Sequence, residues 1–271
     1  MARVAVIQMI STPRVIDNLK MLGSFFSQAK EENVKLVVLP ENFACMGMKE
    51  TDKFQIAEEF GEGLIQNTLS NLAREYGLWI IAGTIPLRTS GERVRASCLV
   101  FEKEGKCIAR YDKIHLFDVR VSEEEAHKES ATIERGEEIV VVDTPVGKIG
   151  LSVCYDLRFP ELFQQMTEKG AEIFTVPSAF TAITGEAHWE VLLRARAIEN
   201  LAYVLAPNQG GLHENGRQTH GHSMIVEPWG KVVGENALGT GMVTADIDLQ
   251  RLRQLRKQFP SNEHHILCTR R

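Results

Sequence analysis

The chain has 271 residues, 44% of them hydrophobic and 25% charged, which is ordinary for a globular protein and enough apolar side chain to fill a large core. A formal charge of −5 excludes a general attraction to nucleic acid or to an anionic membrane surface. No apolar run approaches the roughly 18 residues of a membrane span. Gln8 interrupts Val4-Ala5-Val6-Ile7 with no secretory cleavage site after it, so a cytoplasmic protein is expected.

In chain order, strand and helix patterns alternate. Arg3 to Ile10 reads as a strand. Val15 to Glu32 reads as an amphipathic helix, with Leu19, Leu22, Phe26 and Ala29 at helical spacing, and Leu36 to Leu39 returns as a strand. Helix Ile65 to Tyr76 ends near Gly77, and strand Trp79 to Ile85 follows. Hairpin-like pairs come next: Ser97 to Glu102 with Lys106 to Tyr111, then Ile139 to Asp143 with Lys148 to Val153. The alternation resumes with helix Pro160 to Lys169, strand Ile173 to Pro177, helix His188 to Leu201, strand Tyr203 to Ala206, hairpin Gly221 to Gly234 and strand Met242 to Ile247. A mixture of βαβ units and hairpins predicts an α/β protein. With no Gly/Ser tract or Pro-rich linker, and the acidic stretch Ser122 to Glu129 as its one marked charge run, residues 1–271 are expected to form a single domain.

Cys154 ends the alternating run Val146 to Val153 and precedes Tyr155-Asp156-Leu157-Arg158-Phe159-Pro160-Glu161. Pro160 suits the first turn of a helix, so the cysteine sits at a strand-to-helix bend, its sulfur expected at the exposed edge of the sheet. The N–H groups that follow are placed to stabilise negative charge, which points to covalent acyl chemistry. A thiol of ordinary pKa, about 8.5, is mostly protonated at neutral pH and needs a base and a nearby cation. Strand-like Leu36 to Leu39 runs into Pro40-Glu41, and Lys106 to Tyr111 runs into Asp112-Lys113-Ile114-His115-Leu116-Phe117, supplying candidates for both.

Together and in this order, Val38-Leu39-Pro40-Glu41, Tyr111 to Phe117 and Val153 to Glu161 resemble the nitrilase, or carbon–nitrogen hydrolase, superfamily. The resemblance spans about 3–256 and leaves 257–271 as a C-terminal extension. It implies a four-layer αββα sandwich, an amidase that works through a Cys thioester, and a catalytic set of Glu41, Lys113 and Cys154 supported by Glu129. It also implies a homodimer, for which helix Trp189 to Leu201 and the Asp248 to Phe259 segment are the expected surfaces. The stretch Pro177 to Asn200, with Gly221 to Gly230, resembles the Nit branch, and within it the amidases of deaminated glutathione. The nearest rival is an ω-amidase acting on 2-oxoglutaramate; a catalytically inactive scaffold is the alternative of another class. Both substrates present a keto acid, for which Arg158 is the candidate partner, with Tyr155, Phe180 and Thr181 beside it.

Five cysteines, Cys45, Cys98, Cys107, Cys154 and Cys268, are odd in number with no paired short spacing, which argues against a disulfide framework and a zinc site. All but Cys154 read as small apolar fillers. The stretch 212–222 holds His213, His220, His222 and Glu214, but its spacing is irregular and Gly-rich, so it reads as a loop near the pocket mouth rather than a metal site. No metal and no cofactor are expected; the partner is a small-molecule amide.

Overall fold

The computed structural model describes residues 1–121, 123 and 126–266; Cys268 and Ser122, Glu124 and Glu125 of the acidic run lie outside them. In chain order the strands and helices are β1 (Ala2–Gln8), α1 (Val15–Glu31), β2 (Leu36–Leu39), α2 (Leu64–Tyr76), β3 (Trp79–Arg88), β4 (Val94–Phe101), β5 (Cys107–Asp112), β6 (Asp118–Arg120) and β7 (Ala126–Lys128). They continue as β8 (Val141–Thr144), β9 (Gly147–Leu151), α3 (Pro160–Glu168), β10 (Ile173–Thr175), α4 (Ala182–Asn200), β11 (Tyr203–Ala206), β12 (Gly210–Leu212) and β13 (Gln218–His220). The chain closes with β14 (Ser223–Val226), β15 (Val232–Asn236), β16 (Gly241–Ile247) and α5 (Leu249–Gln258).

Two six-stranded sheets carry the fold, ordered β16-β1-β2-β3-β4-β5 and β15-β14-β11-β10-β9-β8. The strand period of two explains how they stack. In the first sheet Val4, Val6, Leu36, Val38, Cys98 and Val100 point to one core, where they meet Ile149, Leu151, Ile173 and Leu205 of the second sheet. Their chain neighbours Ala5, Ile7, Val37, Leu39, Leu99 and Phe101 point the other way, onto Leu19, Leu22 and Phe26 of α1 and Ile65 and Leu69 of α2. Leu162, Phe163 and Met166 of α3 and Trp189 and Leu193 of α4 join the core of the second sheet. The layers are therefore helices, sheet, sheet, helices, the αββα sandwich. With both faces covered, the central strands read as unbroken apolar runs.

The parallel sets β1, β2, β3 and β9, β10, β11 each bring their carboxyl ends to a common edge. Two antiparallel steps, β3 to β4 and β4 to β5, turn β5 the same way, so the chain leaves β2, β5 and β9 at the edges where ligands bind in α/β sheets. Glu41 follows β2, Lys113 follows β5 and Cys154 follows β9.

Helix α4 starts at Ala182, six residues before the expected His188, because Thr181 caps it by accepting from the N–H of Thr184. The apolar periodicity that marks the later turns is absent from Ala182 to Ala187, where a small-residue face packs on the β12–β13 hairpin: a Cβ on Gly185 would lie 2.2 Å from His220 Cβ. Strand β9 ends at Leu151, two residues short of the expected Val153, as the chain turns toward Cys154. No helix among the described residues is long and apolar enough to cross a membrane.

Candidate active site

Cys154 opens a 3-10 turn, Cys154–Arg158, with its own backbone at φ 48°, in the left-handed region that costs an L-residue about 1–2 kcal/mol. Its N–H donates to Pro177 O at 2.9 Å and that of Asp156 to Val153 O at 3.0 Å. The amide of Tyr155 between them donates to no group among the described residues and is available to a ligand. The residue is only 8% exposed. The sulfur thus lies on the floor of a cavity rather than at an exposed sheet edge, because the second sheet and the loops of the first close over the bend.

Asp156 locks that turn. It is fully buried, and its Oδ2 accepts from Val153 N at 2.8 Å and from the Tyr111 hydroxyl at 2.7 Å. Its Oδ1 accepts from His115 N at 3.0 Å and lies 2.7 Å from His115 Nδ1. One carboxylate therefore ties the Cys154 turn of one sheet to the Lys113 loop of the other. The His115 ring stacks on Phe159 at 3.7 Å between centroids.

Lys113, 2% exposed, donates from Nζ to Glu41 Oε1 at 2.8 Å and to Glu129 at 3.0 Å. Burial works against its charge, but Glu129 and Glu41 outweigh it and hold the ammonium pKa well above the ordinary lysine range. The other oxygen of Glu41 accepts from Ala179 N at 3.0 Å, and the other oxygen of Glu129 from Phe117 N at 2.7 Å. Burial raises the Glu41 carboxyl, yet the Lys113 charge and hydrogen bonds from Lys113 and the Cys154 thiol bring it below the usual carboxylate range. The Cys154 thiol is pushed far up, by burial first and then by the Glu41 charge, against the pull of Lys113. Both shifts favour a carboxylate beside a neutral thiol over a preformed thiolate.

The Glu41 loop is held from two sides. Gln209 donates to Glu41 O at 2.9 Å and to Ser11 Oγ at 2.8 Å. Beneath it, Gly83 has φ 28°, and a Cβ there would lie 1.8 Å from Pro40 O, so only glycine lets β3 pass under this loop. Glu129 follows directly on the β6–β7 hairpin, which delivers it to Lys113.

Glu41, Lys113, Glu129 and Cys154 line a cavity of about 600 Å³. Arg158 stands in its wall, its guanidinium 5.9 Å from the Tyr155 ring centroid, 5.6 Å from that of Phe180 and 3.3 Å from His188 Nδ1. Phe180 packs on Trp189 at 4.8 Å, and the Thr181 hydroxyl is occupied in capping α4, although both residues face the cavity. Cys45 lines the cavity, while Cys98 is buried in the core. The 212–222 stretch forms the β12–β13 hairpin at the mouth. His213 lies 3.0 Å from Ser11 O and 2.9 Å from Thr219 Oγ1, and His220 stacks on His222 at 4.4 Å. Among the described residues no three His, Cys, Asp or Glu side chains gather to hold a metal.

The structure thus brings Glu41, Lys113, Glu129 and Cys154 together and places Tyr155, Arg158, Phe180 and Thr181 around them. Sequence reasoning missed Asp156, Ala179, Gln209 and Arg217. Asp156 did carry a signal, a charged side chain between the apolar strand and the helix start. The Ala179 amide and Gln209 carry none, since a backbone donor and an amide are recognisable only once the two sheets are stacked.

The carbon–nitrogen hydrolase family model matches residues 3–257. A deaminated glutathione amidase of Yersinia enterocolitica is 42% identical over 97% of this chain and 93% of its own length. The solved Caenorhabditis elegans NitFhit protein superposes with a TM-score of 0.90 at 36% identity, over 98% of this chain and 66% of that one. Saccharomyces cerevisiae Nit3, described as a member of branch 10 of the nitrilase superfamily, gives 0.86 at 31% identity, over 100% and 96%.

Proposed function

The chain belongs to the carbon–nitrogen hydrolase family, and we propose on that premise that it hydrolyses the amide of deaminated glutathione to 2-oxoglutarate and cysteinylglycine, using Cys154 as nucleophile. It is a hydrolase of carbon–nitrogen bonds in linear amides. The observation that carries the assignment of roles is the convergence of Glu41, Lys113 and Cys154 on one cavity, with Lys113 shared between Glu41 and Glu129.

The chemistry follows from that arrangement. As the sulfur attacks the amide carbon, its proton passes to Glu41, so charge separates only when the C–S bond forms. The oxyanion that results lies between the Lys113 ammonium and the Tyr155 N–H; losing one such donor typically costs about 10²–10³ in rate. Collapse breaks the C–N bond, and Glu41 returns the proton to the departing nitrogen. Water then gives a proton to the same carboxylate as it attacks the thioester. The second collapse breaks the C–S bond, the acid leaves and the proton returns to sulfur. Glu129 keeps Lys113 charged and aimed. Arg158 receives the keto-acid carboxylate, with Tyr155 and Phe180 stacking against its guanidinium.

The protein works as a single domain over 1–271, in the cytoplasm, as a homodimer. Exposed Val191 and Ile198 on α4 and exposed Trp229 against Phe259 supply an apolar outer face for the pairing. The deciding experiment measures 2-oxoglutarate release from deaminated glutathione and from 2-oxoglutaramate under identical conditions. At least a tenfold higher kcat/KM for the first is expected, about 1.4 kcal/mol of transition-state binding. A preference for 2-oxoglutaramate moves the protein to the ω-amidase class.

A further inference from the structure

Two arginines stand in the wall of the cavity, Arg158 and Arg217, and neither pairs with a carboxylate among the described residues. Of the four lysines among the described residues that line the cavity, Lys49, Lys53, Lys113 and Lys128, two are paired: Lys113 with Glu41 and Glu129, and Lys53 with Glu50 at 2.7 Å. Arg217 is partly buried, and of its five N–H donors one is used, from Nη2 to Ala179 O at 2.7 Å. Its Nε is buried without a partner. A guanidinium whose buried Nε has no partner among the described residues is suited to an anion in the cavity.

Its position is built rather than accidental. The Arg217 N–H donates to Asn215 Oδ1 at 2.9 Å, and Asn215 Nδ2 donates to Gly47 O at 2.7 Å, pinning the hairpin tip across the cavity mouth. Arg14 holds the neighbouring Glu214 through two hydrogen bonds of 2.8 and 3.0 Å. The side matters as well. Arg217 grips the oxygen of the same Ala179 residue whose N–H holds Glu41, and its charge acts on that carboxylate. Glu41 hands its proton to the leaving nitrogen, and an arginine whose charge acts on Glu41 is the better placed of the two for the leaving half. Arg158 lies on the Tyr155 side, with the oxyanion and the acyl half.

We propose that Arg217 binds the carboxylate at the far end of the leaving group, making this site selective for amides whose two halves each carry one carboxylate. The inference rests on the substrate proposed above, whose cysteinylglycine half ends in a carboxylate, whereas the amide nitrogen of 2-oxoglutaramate carries nothing beyond hydrogen.

The test is a cycle of enzyme and substrate changes. Deaminated glutathione and its analogue with the terminal glycine as a carboxamide are each assayed with the wild type, Arg217→Gln and Arg158→Gln. For the wild type, blocking the carboxylate should lower kcat/KM about 10–100-fold, the range for a hydrogen bond to a charged group. In Arg217→Gln the same block should cost less than about threefold, while in Arg158→Gln it should cost as much as in the wild type. If the losses from Arg217→Gln and from the block simply multiply, Arg217 only struts Ala179 and the inference falls while the amidase reading stands. If the sensitivity vanishes in Arg158→Gln instead, the assignment is overturned. If the wild type releases no 2-oxoglutarate from either compound, the amidase substrate and this inference fall together.

Discussion

The Lys113 ammonium lies 2.8 Å from Glu41 Oε1 in a site where the lysine side chain is 2% exposed and the glutamate side chain 6%. With Glu129 also 3.0 Å away, one cation neutralises two anions that burial would otherwise penalise. Removing a member of such a group leaves an uncompensated charge, which is costlier than the group is stabilising.

Lys113→Met should therefore destabilise the fold by about 3–5 kcal/mol as well as abolish turnover. The sequence alone gives no measure of this cost, which comes from the burial of Lys113 between two carboxylates. Adding Glu129→Gln to Lys113→Met should recover part of the stability and none of the activity. Denaturant titration of the two variants checks it, and equal midpoints would mean the carboxylates do not interact.

Cys154→Ala should lower kcat at least about 10³-fold, since the covalent route is closed. The melting temperature should stay near that of the wild type, because alanine keeps the same left-handed backbone at φ 48°. Retention of a tenth of the activity would rule out Cys154 as nucleophile.

Asp156→Asn keeps the shape but replaces an oxygen that accepts two hydrogen bonds by an NH2 group that accepts none. The buried donors left over cost about 1–3 kcal/mol each. Both Tm and kcat should fall, with KM little changed, because the residue positions the Cys154 turn without touching substrate. A variant with unaltered kcat would show that the turn holds itself.

The pH dependence of kcat/KM should be a broad plateau. Its acid limb is set by Glu41, lowered from 4.5, and its alkaline limb by Cys154, raised from 9.0. An inflection between pH 6 and 8 would require a preformed thiolate pair instead.

Stability should fall on acidification over a different range. Burial first, then His222 against the opposing pull of Glu235, pushes His220 from 6.5 down to about 4. The fold prefers the neutral ring, so its contribution is full above 6.5 and is lost as the pH falls from 6.5 toward 4. His220→Asn should flatten the loss of Tm across that window; a slope unchanged from the wild type would place the acid sensitivity elsewhere.

Sequence by itself determined the local structure and singled out the groups proposed to react. Apolar residues such as Val4 and Val6 on one side and Ala5 and Ile7 on the other specify a strand buried on both faces, and Glu41, Lys113 and Cys154 each stand just beyond a strand, where the chain must turn. Tertiary structure decided what those groups are. Stacking the sheets sets Asp156 between Tyr111 and His115, 45 and 41 residues away, and sets Glu41 against the amide of Ala179, 138 residues away. Burial and the balance of nearby charges then favour a neutral thiol and a charged lysine, and leave Arg217 without a salt bridge among the described residues. Periodicity reports how a side chain faces its own element; desolvation and Coulomb energy depend on what other elements bring near it, and that exists only in the folded chain.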